Sequence, residues 1–310
     1  MQIINDTSSI VSKPCVATIG SFDGVHAGHC FLIQQVKKIA AARNLSSSLV
    51  TFPIHPLQVL QKSSPKLLTT PEEKLQLLGN TNVDYCFLLD FTLDIAQLSA
   101  REFMSRILKE QYNVQCLVIG YDHRFGYNRS EGFEDYCRYG SEMGIDVIRA
   151  KEYSSGKVHL SSSLIRESLL HGQVEQAAVC LGYEYKLEGA VVGGFQVGRT
   201  IGFPTANIKV DNPDKLIPEA GVYAVRVFIE GCSYHGMLYI GYRPTLHNGV
   251  NESIEVNIFD FHADIYNCNI RISFVHYVRC DMNFANVDEL ALQLHKDEKE
   301  VRALFLSEGR

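Results

Sequence analysis

The sequence predicts two domains of different fold class, an α/β domain followed by a β domain. Up to about residue 180, short apolar runs alternate with helical segments, an order typical of a doubly wound parallel sheet. From about residue 185, β-rich runs follow one another with turns between them, which predicts an antiparallel barrel or sandwich. A chain of 310 residues is long enough for two cores, and we expect domains at 1–182 and 183–310.

The elements of the first domain are predicted from apolar runs and from helix caps. Ser99 and Glu102 form an S-x-x-E pattern, which indicates a capping box at a helix start. Buried strands are expected at 15–19, 49–52, 85–89, 116–119 and 146–148. Helices are expected at 31–40, behind Thr70-Pro71, behind Ser99, and as one helix containing Ile165 to Cys180.

The elements of the second domain are mostly strands. Turn-bounded β-rich runs predict strands at 186–192, 221–229, 234–241, 253–261 and 270–278. A helical pattern returns only at 287–305. No internal repeat is visible, so the two domains are not copies of one unit.

Composition excludes several classes of protein. The net charge of −6 argues against a general nucleic-acid binder, which usually shows a basic face. The nine cysteines contain no C-x-x-C pair, a pattern that favours isolated thiols in a reducing compartment over a disulfide framework or a zinc site. The N-terminal residues lack an apolar signal core, and no run reaches the length of a membrane helix. We therefore expect a cytoplasmic protein with no nucleic-acid or membrane partner.

The stretch GSFDGVHAGH at 20–29 lies between a predicted strand and a predicted helix. Such a loop can bind phosphate through backbone N–H groups and the helix N-terminus. His26 and His29 are three residues apart at the helix start, so both imidazoles can face one bound phosphate group. Taken alone, the pair is also compatible with two surface histidines or half of a metal site.

Two further motifs carry polar groups suited to phosphates. Ser161 to Ser163 can donate hydrogen bonds at a helix N-terminus, with Arg166 one turn later as a planar cation, although an ordinary N-cap is the alternative. In GGFQVGRTIGFPTANI at 193–208, glycines allow close backbone approach, and Thr205 and Asn207 offer oxygens suited to Mg²⁺. A structural hairpin is the alternative for the second motif.

Taken together, these motifs resemble the bacterial bifunctional riboflavin kinase/FAD synthetase family. The first half is similar to the family's adenylyltransferase module in GSFDGVHAGH, TFPIHP, VIGYDHRFGYNRSEG and the Ser-rich segment starting LSSSLIRES. The second half is similar to its flavokinase signature, Gly-Arg-x-x-Gly-Phe-Pro-Thr-Ala-Asn, and to IPEAGVYAV, GYRPT and IEVNIFDF. The resemblance covers essentially all 310 residues, with the motifs in order.

The resemblance implies a fold and two reactions. The fold would be a Rossmann-like nucleotidylyltransferase domain at 1–182, followed by a six-stranded antiparallel flavokinase barrel with a C-terminal helix at 183–310. The reactions would be phosphorylation of riboflavin by ATP to FMN and ADP, and adenylylation of FMN by ATP to FAD and pyrophosphate. Mg²⁺ would assist both, and the protein would be a monomer or a weak homo-oligomer.

The resemblance also implies roles for individual residues. His26, His29 and Arg166 would stabilise charge during adenylyl transfer, and Glu255 would be the base for the riboflavin hydroxyl. Thr205 and Asn207 would bind the metal. The ligand-binding residues would be Gly20, Phe22, Asp23, Gly24, Gly28, Asp122, Phe125, Asn128, Ser161, Ser162, Ser163, Gly193, Gly198, Arg199, Gly202, Pro204, Thr205 and Asn207.

Three positions depart from the family pattern without removing a proposed catalytic group. Asn257 stands where the family usually has His, which raises the question of how Glu255 is held. Asn267 replaces a Gly, and Asn tolerates the left-handed backbone that a turn there would need. Ser163 replaces a Thr and keeps the hydroxyl. Asp260 is expected to be structural.

Three other functions compete with the bifunctional enzyme. One is an enzyme in which a single module has kept its activity, and another is a flavin-binding sensor without turnover. Both would predict loss of one polar set, whereas both sets are intact in this sequence. The third, a glycerol- or nicotinate-type nucleotidyltransferase, would leave GFPTAN unexplained.

Overall fold

The computed structural model describes residues 1–5, 13–60, 65–153, 160–194, 198, 202–244 and 250–308. Its backbone separates into two compact units, 1–162 and 163–310. Each unit is described by itself. The domain boundary expected after residue 182 stays a prediction.

The first unit contains a six-stranded, entirely parallel sheet. The strand order is β1-β4-β3-β2-β5-β6. The predicted parallel sheet is therefore confirmed, and all five residues of its strand β2 are buried, as expected of an apolar strand with both faces covered. The strands are β1 (Gln2–Ile4), β2 (Cys15–Ile19), β3 (Ser46–Thr51), β4 (Tyr85–Leu88), β5 (Val114–Ile119) and β6 (Asp146–Arg149).

Two helices of the first unit start where they were predicted, behind Thr70 and behind Ser99, whereas the helix predicted from residue 31 starts at Ala27. The Ser99 hydroxyl accepts from the Glu102 amide (3.2 Å), while the Glu102 carboxylate accepts from the Ser99 amide (2.9 Å), so the capping box is confirmed. The helix behind Ser99 widens after one turn into a π-helix. The helical segments are α1 (Ala27–Arg43), α2 (Pro56–Val59), α3 (Pro71–Gly79), α4 (Leu93–Gln97), α5 (Ala100–Glu102) with its π-helical continuation (Phe103–Gln111), a 3₁₀ turn (Tyr127–Arg129) and α6 (Phe133–Met143).

The order of the strands creates a crevice between β2 and β5. From β2 the chain continues to β3 and β4 on one side, whereas β5 and β6 lie on the other side. Open parallel sheets bind ligands at such a switch point, outside the carboxyl ends of the strands. The loops that follow β2 and β5, at 20–26 and 120–126, therefore flank the position where a ligand is expected.

The second unit begins with two helices rather than one. The prediction of one helix containing Ile165 to Cys180 is wrong, since α7 (Ser162–Leu170) and α8 (Val174–Leu181) are separate helices. Gly172 lies between them with φ = +71°, a backbone conformation that ends an α-helix and that glycine adopts at little cost.

The rest of the second unit is a closed antiparallel barrel of six strands, ordered β10-β11-β8-β7-β12-β9. The predicted strands are confirmed, and the barrel rather than the sandwich is the observed form. Strand β8, inside the GFPTANI segment, is additional. The strands are β7 (Lys186–Val192), β8 (Ala206–Val210), β9 (Gly221–Ile229), β10 (Cys232–Pro244), β11 (Val250–Ile258) and β12 (Asn269–Arg279). Asn267 adopts φ = +63° in the turn before β12, as expected.

The C-terminal helix (Val287–Glu308) packs on this barrel and confirms the predicted helical pattern. Its Val301 and Phe305 join Phe203 and barrel residues in one buried apolar cluster. Asp297, 1% exposed, accepts three hydrogen bonds from the guanidinium of Arg279 on β12 (2.8–3.1 Å). Apolar packing and a buried ion pair thus hold the helix to the barrel.

Two expectations from composition can be compared with the structure. All nine cysteines are free thiols, of which Cys232 and Cys280 are exposed and the others are buried or half-buried. Among the described residues, no helix combines the length and the apolar character needed to cross a membrane.

Candidate active sites

The loop after β2 holds His26 and His29 in a fixed arrangement. His26 is the N-cap of α1, and its Nδ1 accepts a hydrogen bond from the backbone N–H of His29 (3.3 Å). The two imidazole rings stack with centroids 3.7 Å apart and an interplanar angle of 17°. The ring of Phe22 meets His29 edge-on at 5.2 Å. The histidine spacing thus places both rings together at the start of one helix.

Asp23, within this loop, ties the loop to residues Leu68 and Thr69. The buried carboxylate of Asp23 accepts hydrogen bonds from the amides of Leu68 (3.0 Å) and Thr69 (2.9 Å) and from the Thr69 hydroxyl (3.0 Å). The Thr69 hydroxyl in turn accepts from the Gly24 amide (3.0 Å), and the Ser162 hydroxyl donates to the Asp23 carbonyl (3.0 Å). These contacts fix the loop; binding of ligand by Asp23 and Gly24 stays a prediction.

A cavity of about 700 Å³ opens at the carboxyl ends of β2 and β5. It therefore lies at the crevice that the strand order creates. The sequence-predicted residues that line it are Gly20, Phe22, His26, Gly28, His29, Asp122, Phe125, Asn128, Ser161 and Ser162. Ser163 and Arg166 lie on α7 in the second unit, and their part in this site stays a prediction.

The other lining residues include aromatic and basic side chains, beside aliphatic ones and the acidic Glu152. Phe52 and Phe91 meet edge to face at 5.4 Å, and Phe103 and Phe125 pack with centroids 5.5 Å apart. Basic side chains line the cavity as well, namely Arg124, Arg129 and Lys151. The cavity can therefore take a molecule with a flat apolar part and an anionic part.

Burial keeps two histidines of this cavity neutral near pH 7. Desolvation, with the nearby His26 and His123, holds the pKa of His29 well below its ordinary value. Desolvation, with Arg129, lowers the pKa of His123 to about 4, and Asp122 opposes that shift. Neutral imidazoles carry one N–H donor and one acceptor nitrogen each. Sequence reasoning missed His123, although it lies in the motif that follows β5.

A second polar site lies on strand β11 of the barrel. Ser253, Glu255 and Asn257 alternate along the strand, so their side chains share one face. The Glu255 carboxylate accepts from the Ser253 hydroxyl at Oε1 (2.9 Å) and from the Thr205 hydroxyl at Oε2 (3.0 Å). These two hydrogen bonds, one at each carboxylate oxygen, hold the carboxylate in a fixed orientation.

Strand register brings the GFPTAN segment to Glu255. Asn207 on β8 pairs directly with Glu255 on one side and with Val192 on β7 on the other. The Asn257 amide donates to the Pro204 carbonyl (2.7 Å). The departure at Asn257 therefore leaves Glu255 held by hydroxyls, while Asn257 itself holds the loop that carries Thr205.

Local geometry favours glycine at three of the four described glycines around this segment. A Cβ at Gly194 would overlap the Asn207 amide, and a Cβ at Gly198 would overlap the carbonyl oxygen of Phe203. Gly202 has φ = +83°, which favours glycine. Gly193 has open space where a Cβ would lie. Arg199 lies outside the described residues.

Ser253 and Asn257 are the residues of this site whose contacts sequence reasoning missed. The signal was present, because positions two before and two after Glu255 must share its face in a strand. Asp260, by contrast, is exposed and forms a bidentate pair with Arg302 of the C-terminal helix (2.9 and 3.0 Å).

Comparisons with known proteins match both halves of the chain. The FAD synthetase family model matches residues 8–164, and the riboflavin kinase family model matches residues 181–305. The chain is 37% identical to a bifunctional riboflavin kinase/FMN adenylyltransferase of Listeria monocytogenes over 94% of this chain and 92% of the relative. It is 35% identical to the protein of the same description from Escherichia coli K12, over 97% and 96%.

A solved structure is similar over nearly the whole length. It is described as a macrolide-efflux protein from Streptococcus pneumoniae. The TM-score is 0.88 at 32% sequence identity, and the match covers 97% of this chain and 98% of the other.

Proposed function

Because the chain belongs to the family of bifunctional riboflavin kinases/FMN adenylyltransferases, we propose that its two activities use two separate sites, one on the barrel and one at the parallel sheet. The protein phosphorylates riboflavin to FMN and adenylylates FMN to FAD. Its small-molecule substrates and products therefore include riboflavin, FMN, FAD and ATP. The proposal concerns which residues perform each step.

Riboflavin phosphorylation is assigned to the Glu255 site, and the observation that supports it is the fixed carboxylate. The 5′-hydroxyl of riboflavin is a weak nucleophile at neutral pH. In the proposed step Glu255 takes the hydroxyl proton, the oxygen bonds to the γ-phosphorus of ATP, and the bond from that phosphorus to ADP breaks. Ser253 and Thr205 hold the two carboxylate oxygens, so the base is oriented before the substrate arrives.

The same site has oxygens that fit Mg²⁺. The Thr205 hydroxyl and the Asn207 amide lie on the segment that pairs with Glu255, and hard oxygen ligands of this kind suit Mg²⁺ together with phosphate oxygens. The absence of side chain at Gly194 leaves room for the Asn207 amide. Bound there, Mg²⁺ would neutralise charge on the transferring phosphates. Thr205 and Asn207 are the residues we propose to hold it.

FMN adenylylation is assigned to the cavity beside His26 and His29. An oxygen of the FMN phosphate bonds to the α-phosphorus of ATP, and the bond to pyrophosphate breaks. The attacking phosphate is already ionised, so no general base is needed, and positioning with charge stabilisation carries the reaction. The stacked imidazoles at the N-terminus of α1 support this assignment, and the aromatic walls suit the flavin ring.

A substitution at Glu255 tests the division between the sites. Glu255→Gln keeps the size of the side chain and removes the base, so FMN formation from riboflavin should fall by roughly 10²- to 10⁴-fold. Conversion of supplied FMN to FAD should be unchanged. Glu188→Gln, at an exposed position of β7 in the same barrel, is the matched control and should leave both rates unchanged. Equal loss of both activities in Glu255→Gln would refute the assignment.

The complementary variant is His29→Ala. It should slow FAD formation while FMN accumulates from riboflavin, because the barrel site is untouched. A normal rate of FAD formation would remove His29 from the adenylyl-transfer site. Both rates are read from one chromatogram of the flavin products.

We also propose that the protein acts in the cytoplasm as a monomer or weak homo-oligomer. The isolated thiols support a reducing compartment. Gel filtration at two protein concentrations tests the oligomeric state.

A further inference from the structure

His123 is a third imidazole in the wall of the cavity. It lies in the loop after β5, where its backbone N–H donates to the Gly120 carbonyl (3.2 Å) and closes a tight turn. Its ring is 6.4 Å from the ring of Phe125, centroid to centroid, with an interplanar angle of 29°. The turn and the aromatic neighbour fix the position of the ring at the switch point of the sheet.

One ring nitrogen of His123 has no hydrogen-bond partner among the described residues. Its Nε2 is buried, and in the described part of the chain it makes no hydrogen bond; the same holds for Nδ1 of His29. Buried polar atoms are nearly always paired, so two unpaired ring nitrogens in the wall of one cavity indicate a ligand that pairs with them.

The surroundings of His123 identify the chemistry of that ligand. His123 is close enough to His29 to lower the pKa of His29 electrostatically. Arg124, Arg129 and Lys151 line the same cavity, and α1 presents its N-terminus there. N–H donors, cations and a helix N-terminus together suit an anion that has several acceptor oxygens. A phosphate group of a substrate has this character.

We propose that His123 is a phosphate-binding residue of the adenylyl-transfer site, with Nε2–H donating to a substrate phosphate oxygen beside His29. The inference rests on the proposed location of that site. His26, His29 and His123 then form a donor set contributed by both loops that flank the crevice. The phosphate belongs either to FMN or to the ATP chain.

Two substitutions separate the hydrogen bond from the shape of the ring. His123→Phe keeps a flat ring and removes the donor, and kcat/KM for FMN adenylylation should fall roughly 10- to 100-fold, the loss typical of a hydrogen bond to a charged group. His123→Gln, whose amide nitrogen can reach the position of Nε2, should restore most of that loss. Riboflavin phosphorylation by the same proteins is the internal control and should be unchanged.

The substrate that is affected identifies the phosphate. A higher KM for FMN, with KM for ATP unchanged, assigns the contact to the FMN phosphate, and the converse assigns it to ATP; either result supports the proposal. Unchanged kinetics in His123→Phe would overturn it, as would equal losses in the Phe and Gln variants. If His29→Ala is impaired and His123→Phe is not, the inference fails while the proposed site stands. If His29→Ala is also normal, the site itself is elsewhere.

A measurement on the unsubstituted protein covers the case in which His123→Phe does not fold. Imidazole proton signals are followed by NMR while inorganic pyrophosphate or FMN is added in separate titrations, with His123→Gln used to assign the signal. The signal of His123 should shift and saturate with at least one of the two ligands. No shift with either ligand would contradict the proposal.

Discussion

At residue scale, three polar side chains on one face of β11 have different tasks. Glu255 is the proposed base, Ser253 fixes one of its oxygens, and Asn257 holds the carbonyl of Pro204. Because Thr205 follows Pro204 directly, Asn257 also helps to position the Thr205 hydroxyl, which donates to Oε2 of Glu255. Asn at position 257 is therefore compatible with a catalytic Glu255, since the hydroxyls of Ser253 and Thr205 hold the Glu255 carboxylate.

Ser253→Ala tests whether the carboxylate must be held. Loss of one hydrogen bond, worth about 1 kcal/mol, should lower kcat of riboflavin phosphorylation roughly fivefold, with little change in KM. Ser253→Thr keeps the hydroxyl and should restore the rate. Steady-state kinetics with riboflavin decide the matter, and an effect confined to KM would contradict a positioning role for Ser253.

The neutral histidines predict how stability depends on pH. In the unfolded chain His29 and His123 titrate near 6.5, whereas in the folded protein the pKa of His123 is about 4 and that of His29 is also depressed. Between these values the unfolded chain binds protons that the folded protein does not. The free energy of unfolding should therefore fall as pH drops from 6.5 toward 4, by less than about 1.4 kcal/mol per pH unit for each imidazole.

Thermal unfolding between about pH 4.5 and 7 checks this dependence. The unfolding temperature of the unit that contains His123 should fall with falling pH more steeply in the unsubstituted protein than in His123→Phe. Parallel curves for the two proteins would show that His123 does not titrate as described.

At the scale of elements, most strands and helix starts could be predicted from the sequence. Apolar runs give buried strands, and capping boxes are local chemistry, so Ser99 and Glu102 were enough to locate a helix start. Strand β8 was missed because its residues follow a Pro-containing loop and one of its two pairing partners, β11, is distant in sequence. The break at Gly172 was missed because the apolar pattern continues through it.

The attachment of the C-terminal helix gives a prediction at this scale. Asp297→Ala leaves the Arg279 guanidinium without its buried partner and should destabilise the barrel by roughly 3–5 kcal/mol. Asp260→Ala removes the exposed pair with Arg302 and should cost much less, because solvent screens that pair. Chemical denaturation compares the two variants, and equal losses would contradict the difference in burial.

At the scale of the whole molecule, each compact unit contains its own core and its own candidate site. The motif residues of both sites could be read from the sequence, because each motif is continuous. The aromatic wall could not, since Phe52, Phe91 and Phe103 come from separate segments that only the folded sheet brings together. That Nε2 of His123 finds no partner in the described part of the chain is likewise a property of packing and cannot be read from the sequence.

The central claim is that each activity has its own site, and mixing two variants tests it most directly. Riboflavin and ATP with Mg²⁺ are given to Glu255→Gln, to His29→Ala and to an equal mixture, and the flavins are separated by chromatography. Glu255→Gln alone should convert riboflavin only slowly, His29→Ala alone should accumulate FMN, and the mixture should make FAD faster than either variant alone. A mixture that makes no FAD, with Glu255→Gln unable to use supplied FMN, would contradict two separate sites.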